Sequence, residues 1–508
     1  MDCRKASSTR DPPNSSISKL APNPARELSN NLTKLCLVPD CPPSITTPYI
    51  AIALFCGVAW PPFFEFLAAR RPFVAVHGPQ LEAFSVSFPP PPALNDTMFG
   101  ALSFLFALVA LILSFSNGYE IDEDIFNVID YGATGDGYTD NSKAFLEAWD
   151  AACSSLIDSP RVYVPPDGTF LLNPVTFQGP CNALRISFVI SGVLVAPDSP
   201  SLWDGMDASQ WLGFTDINGL SLDGFGYIDG QGQSWWDQSC KYHPELINIK
   251  YCMVCNLDNQ ALKFLGCKDS SVSNLNFINS AQTHILVRGC NTFGIQNVII
   301  QSPGNSPNTD GIHIQSSQQV IISNSRISCG DDCISIGDHI SDIEISRVEC
   351  GPGHGISIGS LGKRGNYVQV EKIHVADAFL NGTSNGARIK TWQVGRGYVR
   401  DVTFENLRFN HVKNPLIIDQ NYCNIRGACK ERETGVQISN VIYKDIVGTS
   451  STDIAINLNC SKSVPCFGIS MESVYLSSAK IGKKVTAYCN NAYGEETDVV
   501  PGPCLIAE

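Results

Sequence analysis

Four residues, Asp310, Asp331, Asp332 and His354, have the types and spacing for proton chemistry. Asp310, Asp332 and His354 are separated by 22 and 22 residues. If the chain repeats structurally at that interval, these three lie on neighbouring turns about 4.8 Å apart, the spacing of adjacent strands. Asp331 adds a carboxylate beside one of them. Carboxyls so close cannot all ionise at their ordinary values, so at least one is expected to hold a proton at working pH. One protonated acid with one or two carboxylates is the equipment for breaking a glycosidic bond. One group protonates the leaving oxygen while another activates water or attacks the anomeric carbon. A single Asp at a turn more often bonds its own backbone. The coincidence of three periodic groups and a fourth beside them favours chemistry.

Farther along, Arg388 and Lys390 flank Ile389. Their i, i+2 spacing aims both cations outward and buries the isoleucine. That pattern fits an ordinary charged strand face, or a clamp in which Arg gives a two-pronged fork to a carboxylate and Lys a point charge. In an acidic protein the second reading implies an anionic ligand. Tyr422, in Asp-Gln-Asn-Tyr-Cys, carries a phenol able to bond a sugar hydroxyl, although such a tyrosine is routinely core.

The elements that must position these groups are short strands. From Ile125 onward, runs of Ile, Val and Phe alternate with Gly, Asn, Ser and Asp clusters. Ile312, Ile334 and Ile356 keep the 22-residue interval, as do Ile314, Ile336 and Ile358, Ser335 and Ser357, and Gly337 and Gly359. Alternating apolar and polar side chains put the isoleucines on one face. A fixed period with one apolar column per turn marks a solenoid, whereas a β-sandwich of short strands needs no such column. Less regular coils begin near Leu262, Ile285, Ala387, Leu416 and Ile454. The expected architecture is all-β, a right-handed parallel β-helix over 125–508, the handedness being that of the fold type. A short N-terminal helix capped by Thr139 or Asp140 and running to about Cys153 is expected to close one end. Asp310, Asp332 and His354 each lie two residues before a ladder isoleucine and on an ideal strand would point into the dry core, at high cost. They are therefore placed at the turns entering the strands. Asp331 and Asp332 can share a cleft only if the chain leaves strand geometry after Gly330.

The 508 residues carry 35 Lys and Arg against 49 Asp and Glu, a net charge of -14, which argues against a nucleic-acid binder. At 44% hydrophobic and 17% charged the chain can bury a large core. The 20 cysteines point to an oxidising, secretory destination, since Cys252 and Cys255 lack the second pair a zinc site needs. Residues 1–97 form a Pro/Ser-rich extension outside the fold, with an apolar stretch, Tyr49 to Trp60, that is short for a membrane span. Residues 98–116 read as a signal peptide or signal anchor: Ala101 to Leu113 is an apolar core, and Ser114 and Ser116 suit a cut before Asn117. Met98 would then be the true start, with 16 cysteines after the cut.

Asn308-Thr309-Asp310, Gly330-Asp331-Asp332-Cys333, Gly353-His354-Gly355 and Arg388-Ile389-Lys390 resemble the four motifs of the polygalacturonases, glycoside hydrolase family 28. The resemblance runs from about Phe126 to the C-terminus and implies a pectin-lyase-like solenoid. It also implies hydrolysis, with inversion and no metal or cofactor, of α-1,4 bonds in de-esterified homogalacturonan. On that resemblance Asp331 is the general acid, Asp310 and Asp332 activate water, and His354 supports the acid's protonation. Asn308, Arg388, Lys390 and Tyr422 would hold substrate. It further implies disulfides Cys333–Cys350, Cys423–Cys429 and Cys460–Cys466.

The expected protein is a secreted, monomeric, endo-acting polygalacturonase of the cell wall, with pectin as partner and no nucleic acid or membrane span in its mature form. Exo-action, a Ca²⁺-dependent pectate lyase and a non-catalytic polysaccharide-binding β-helix are the alternatives. His284, His313 and His339 read as solvated strand decoration, and Trp235, Trp236 and Trp392 as packing. Asn381 and Asn459 head glycosylation acceptor sequences.

Overall fold

A computed structural model describes residues 125–239, 241, 260–423, 429–430 and 432–508. The expected N-terminal extension and signal segment, and Cys252 and Cys255, lie outside the described residues.

Eleven strands form one parallel sheet in strict chain order. They are β1 (Val175–Gln178), β2 (Gln210–Thr215), β3 (Gln260–Leu265), β4 (Ile285–Arg288), β5 (Ile312–Gln315), β6 (Ile334–Ile336), β7 (Ile356–Leu361), β8 (Asn385–Thr391), β9 (Asn414–Asp419), β10 (Ile454–Asn459) and β11 (Thr486–Asn490). Between each consecutive pair the chain crosses a second, 21-stranded sheet, also parallel, and returns. This is the parallel β-helix that the period predicts. The 22-residue register is real: Ile312 pairs with Ile334 and Ile334 with Ile356. Later coils are longer, Ile356 aligning with Ala387 and Ala387 with Leu416. In β10 the ladder residue opposite Leu416 is Ile456, while Ile454 is exposed.

Inside, one column runs Phe177, Phe214, Phe264, Val287, Ile314, Ile336, Ile358, Ile389, Ile418 and Leu458. Every member is buried. The first rings stack at 4.8 and 5.5 Å between centroids. Burying each such side chain stabilises the fold by about 2 kcal/mol, and none of it depends on the polar face opposite.

Helix α1, Ser142–Ser154, lays Phe145, Ala148, Trp149 and Ala152 on the first coils. Trp149 meets Phe214 edge-on at 5.9 Å. Its cap differs from expectation. Asn141 is the capping position, but its side-chain oxygen accepts from Thr134 N at 2.8 Å and bonds no helix N–H. Asp140 instead takes the Ser142 N–H at 3.0 Å, while Thr139 lies in the preceding strand, Asp136–Asp140, and donates to Asp136.

The three expected disulfides are present, joined by Cys153–Cys181 and Cys489–Cys504. An even cysteine count does not make every thiol a partner. Cys267, Cys290 and Cys329 are buried thiols.

Candidate active site

Each carboxyl is delivered by the turn that enters a strand of the 11-stranded sheet. Residues 329–333, ahead of β6, have no regular structure. Gly330 presses so close to the previous coil that a Cβ would stand 1.9 Å from the Ser306 carbonyl oxygen. The chain therefore leaves strand geometry there, as expected, and the adjacent Asp331 and Asp332 turn their carboxylates to one place. Gly355, at φ +87°, does the same service after His354 in a conformation other residues rarely adopt. Backbone bonds carry the register through these turns, Gly311 N donating to Asp332 O and Cys333 N to Gly355 O.

The side chains do not stack as a simple column. His354 reaches sideways to Asp331, with Nδ1 2.9 Å from Oδ1. Lys241 Nζ stands 3.2 Å from the other oxygen of Asp331. Asp332, 2% exposed, is gripped from two coils on. Arg388 Nη2 donates to its Oδ1 and Lys390 Nζ to its Oδ2 at 2.8 Å. Ser357 Oγ donates to Oδ1 at 2.9 Å and accepts from Arg388 Nε at 2.8 Å. Among the described residues no cation is bonded to Asp310. Its Oδ2 accepts from Ser335 Oγ at 2.8 Å, and Ser335 in turn meets His313 Nδ1 at 2.7 Å.

These partners set the charges. Burial pushes Asp332 up, but Lys390 and then Arg388 outweigh both that and repulsion from Asp331, so its carboxyl is held below the ordinary value. Burial likewise opposes ionisation of Asp331, and is outweighed by the His354 bond and charge, then by Lys241 and Lys390. Asp310 goes the other way. Burial, then repulsion from Asp331 and Asp332, raises it well above the usual carboxylate range, and the Ser335 bond and Lys390 offset only part. Of the three carboxyls, Asp310 is thus the one whose surroundings favour the protonated form, while those of Asp331 and Asp332 favour the carboxylate.

Asp331, Asp332 and His354 place one donor atom each within 4.8 Å of one another, a spacing that could hold a metal ion. Both oxygens of Asp332 already accept from cations, and those of Asp331 from His354 and Lys241. The set is furnished as an ion-pair network rather than as open metal ligands.

The other sequence-singled residues fall into place around this core. Asn308 is exposed, with φ +57°. Arg388 and Lys390 do point out of the coil, with Ile389 buried between them. Tyr422 is half-buried, its ring 5.6 Å from Lys390 Nζ and edge-on to Trp392 at 5.5 Å. Trp235 and Trp236 are buried, while Trp392 is half-buried under Lys363. His339 is exposed beside Asp338. His284 departs from expectation. It is fully buried, with Nδ1 2.9 Å from the Asp310 carbonyl and Nε2 2.8 Å from Ser302 Oγ. Burial lowers it to about 4, so it is a neutral brace under the Asp310 turn. Lys241, Ser335 and Ser357 escaped the sequence reading as site residues. The two serines could have been found, since they occupy outward positions between ladder isoleucines at the same 22-residue interval.

Residues 153–498 match the family model described as glycosyl hydrolases family 28. The chain is 42% identical over 368 residues to polygalacturonase QRT2 of Arabidopsis thaliana, covering 72% of this chain and 81% of that protein. It is 42% identical over 371 residues to a polygalacturonase of Persea americana, covering 73% and 77%. Among solved structures, endo-xylogalacturonan hydrolase from Aspergillus tubingensis superposes with a TM-score of 0.60 at 23% identity, over 73% of this chain and 98% of that one.

Proposed function

The chain belongs to glycosyl hydrolase family 28 and is a glycoside hydrolase; on that premise we propose that it is a polygalacturonase, cutting α-1,4-galacturonosyl bonds of de-esterified pectin. The single observation that carries the substrate class is the cation pair. Arg388 and Lys390 converge on a carboxylate in the cleft, beside the acid cluster of a glycosidase. A galacturonate carboxylate entering there competes with Asp332 for the same two cations, whereas a neutral sugar has nothing to offer them. Asp331 is the general acid, and Asp310 and Asp332 draw the proton from the attacking water. His354 holds Asp331, and Asn308 and Tyr422 line the path of the sugar chain.

The proton inventory supports this division. The unliganded cluster holds one proton, on Asp310, and catalysis needs one, on Asp331. Bound galacturonate draws the cations away and adds negative charge, which favours protonation of Asp331. Asp310 is then freed to act as base. Water attacking the face opposite the leaving oxygen gives inversion. The endo mode, and secretion of a monomer to the cell wall, complete the reading. The five disulfides among the described residues favour an oxidising destination.

The test is activity on polygalacturonate in excess chelator, wild type against Asp331→Asn, following reducing ends and viscosity together, with the product anomer read by NMR. Expected are chelator-resistant cleavage, an early viscosity collapse and an inverted anomer, with the variant slowed about 10²–10⁴-fold. Slow monomer release replaces endo by exo action. Activity that needs added Ca²⁺ and leaves an unsaturated product overturns the hydrolysis.

A further inference from the structure

The two acceptor triplets for N-linked glycans, headed by Asn381 and Asn459, lie in opposite surroundings. Asn381 ends a strand of the 21-stranded sheet, Phe379–Asn381. Leu380 is buried, so Phe379 and Asn381 share the solvent face, about 6.6 Å apart along the strand. Phe379 is 40% exposed. Gly382 follows at φ +66°, its N–H donating to the Asn410 carbonyl at 2.8 Å. The acceptor amide is held too, since Asn410, its partner in register, donates from Nδ2 to Asn381 Oδ1 at 2.9 Å. Among the described residues nothing bonds Asn381 Nδ2, the atom that takes a sugar. Asn459 is half-buried in β10 and stands two coils on from Lys390, through Asp419. With Tyr422 it lines a cavity of about 380 Å³. Two residues before it stands Asn457 rather than a ring, and Cys460 beside it is buried in a disulfide with Cys466.

We propose that the active enzyme carries an N-linked glycan on Asn381, its first sugar seated on the Phe379 ring, and keeps Asn459 bare. This rests on the reading of the chain as secreted and of the groove over Lys390 as the path of the polysaccharide. In the modifying step Asn381 Nδ2 bonds the anomeric carbon of an N-acetylglucosamine carried on a lipid diphosphate. The bond from that carbon to the phosphate oxygen breaks, its electron pair leaves with the diphosphate, and the diphosphate takes the proton that Nδ2 gives up. Nothing is oxidised. The linkage replaces a hydrogen on Nδ2 only, so the Asn410 bond to Oδ1 survives. Thr383, the third residue of the triplet, is buried with its hydroxyl on the Asn385 carbonyl at 2.7 Å, so transfer precedes closure of this turn. What separates the two sites is therefore what a sugar does to the finished fold. A lone exposed phenylalanine needs no explanation. Two residues before the acceptor and on the same face, it offers the negative face of its ring to the polarised C–H groups of a pyranose. Covering the ring takes apolar surface out of water, so the sugar stabilises the fold. On Asn459 the same sugar would stand in the cleft, where the galacturonate chain passes, with no ring to receive it.

The experiment expresses the full chain in plant cells and maps its glycopeptides by mass spectrometry, with the glycan released by a peptide N-glycosidase in heavy-oxygen water to mark each modified asparagine. Expected is a mark on Asn381 and none on Asn459 in enzyme that cleaves polygalacturonate. The seat is read from Tm in four proteins: wild type, Asn381→Gln, Phe379→Val and the double variant. The glycan should raise Tm by about 2 °C where Phe379 is present and by nothing measurable where valine replaces it. An equal gain in both backgrounds overturns the seat. A secreted chain with its disulfides formed and Asn381 bare overturns the proposal alone, as does active enzyme modified at Asn459. A chain kept in the cytosol, with Cys333 and Cys350 reduced and both acceptors bare, overturns the secretory reading and the proposal with it.

Discussion

Asp310 and Asp332 occupy equivalent places on neighbouring coils, 22 residues apart, in turns entering β5 and β6. Both are desolvated, and burial alone pushes both toward protonation. Yet the surroundings of Asp332 favour the ionised form and those of Asp310 the protonated one. The next coil gives each a serine hydroxyl, Ser335 to Asp310 and Ser357 to Asp332, so the difference is the cargo two coils on. Asp332 is met by Arg388 and Lys390, while Asp310 is met by a serine hydroxyl. Partner charge, rather than depth, decides which carboxyl keeps the proton, so a repeating backbone can build non-equivalent acids from equivalent positions.

The harshest way to break this contrast is Lys390→Met, which keeps the apolar length and removes the charge. Asp332 is left buried with a reduced counter-charge, and losing one partner of such a pair costs about 3 kcal/mol. Its carboxyl rises toward that of Asp310. Expected are a lower Tm and an acid limb of activity shifted to higher pH, read by calorimetry and pH–rate profiles.

Asp310→Asn sharpens the contrast from the other side. The folded Asp310 sits above its unfolded value, so the wild type loses stability as pH rises from about 3.8 through the folded value. The amide carries no such penalty. The variant should therefore lose activity while unfolding at a higher temperature than wild type near neutrality, and show little stability advantage at pH 3. Denaturant melts across pH check the sign. The trade is the usual one at a working site, where function is kept at some expense of stability.

The smallest effect belongs to the far sheet, where His374 bridges Glu344 at 2.9 Å and Glu405 at 3.0 Å. Burial opposes its charge, but the two glutamates outweigh it and raise it. Its stabilisation is complete below about pH 6.5 and fades as pH rises through the folded value. His374→Gln should erase a shallow slope of Tm in that window without moving the activity profile.

Much of this molecule was legible without coordinates because a solenoid is written in one dimension. The isoleucines at 22-residue intervals define the strand, its inner face and the register, since adjacent coils pair parallel and each residue meets its counterpart one repeat away. The same interval placed Asp310, Asp332 and His354 at one end of the sheet, and alternation placed Arg388 and Lys390 outside Ile389. Irregular geometry after Gly330 followed from needing two adjacent carboxylates on one side.

What alternation cannot tell is which outward groups touch, because that depends on coils of unequal length and on turns that leave the strand path. Arg388 and Lys390 lie 56 and 58 residues beyond Asp332 and reach it across two coils. Lys241 comes to Asp331 from 90 residues upstream. His284 reads in sequence as an outward histidine, yet the turn before β4 folds it beneath Asp310. Cys153 and Cys181 meet because α1 is laid over the end of the stack, which no spacing announces. Sequence by itself determined the coil, the two faces and the chemistry carried on the outer one, since these follow from local periodicity. Only the tertiary structure decided which carboxyl holds the proton, since that depends on charges brought close from distant segments and on the water excluded between them.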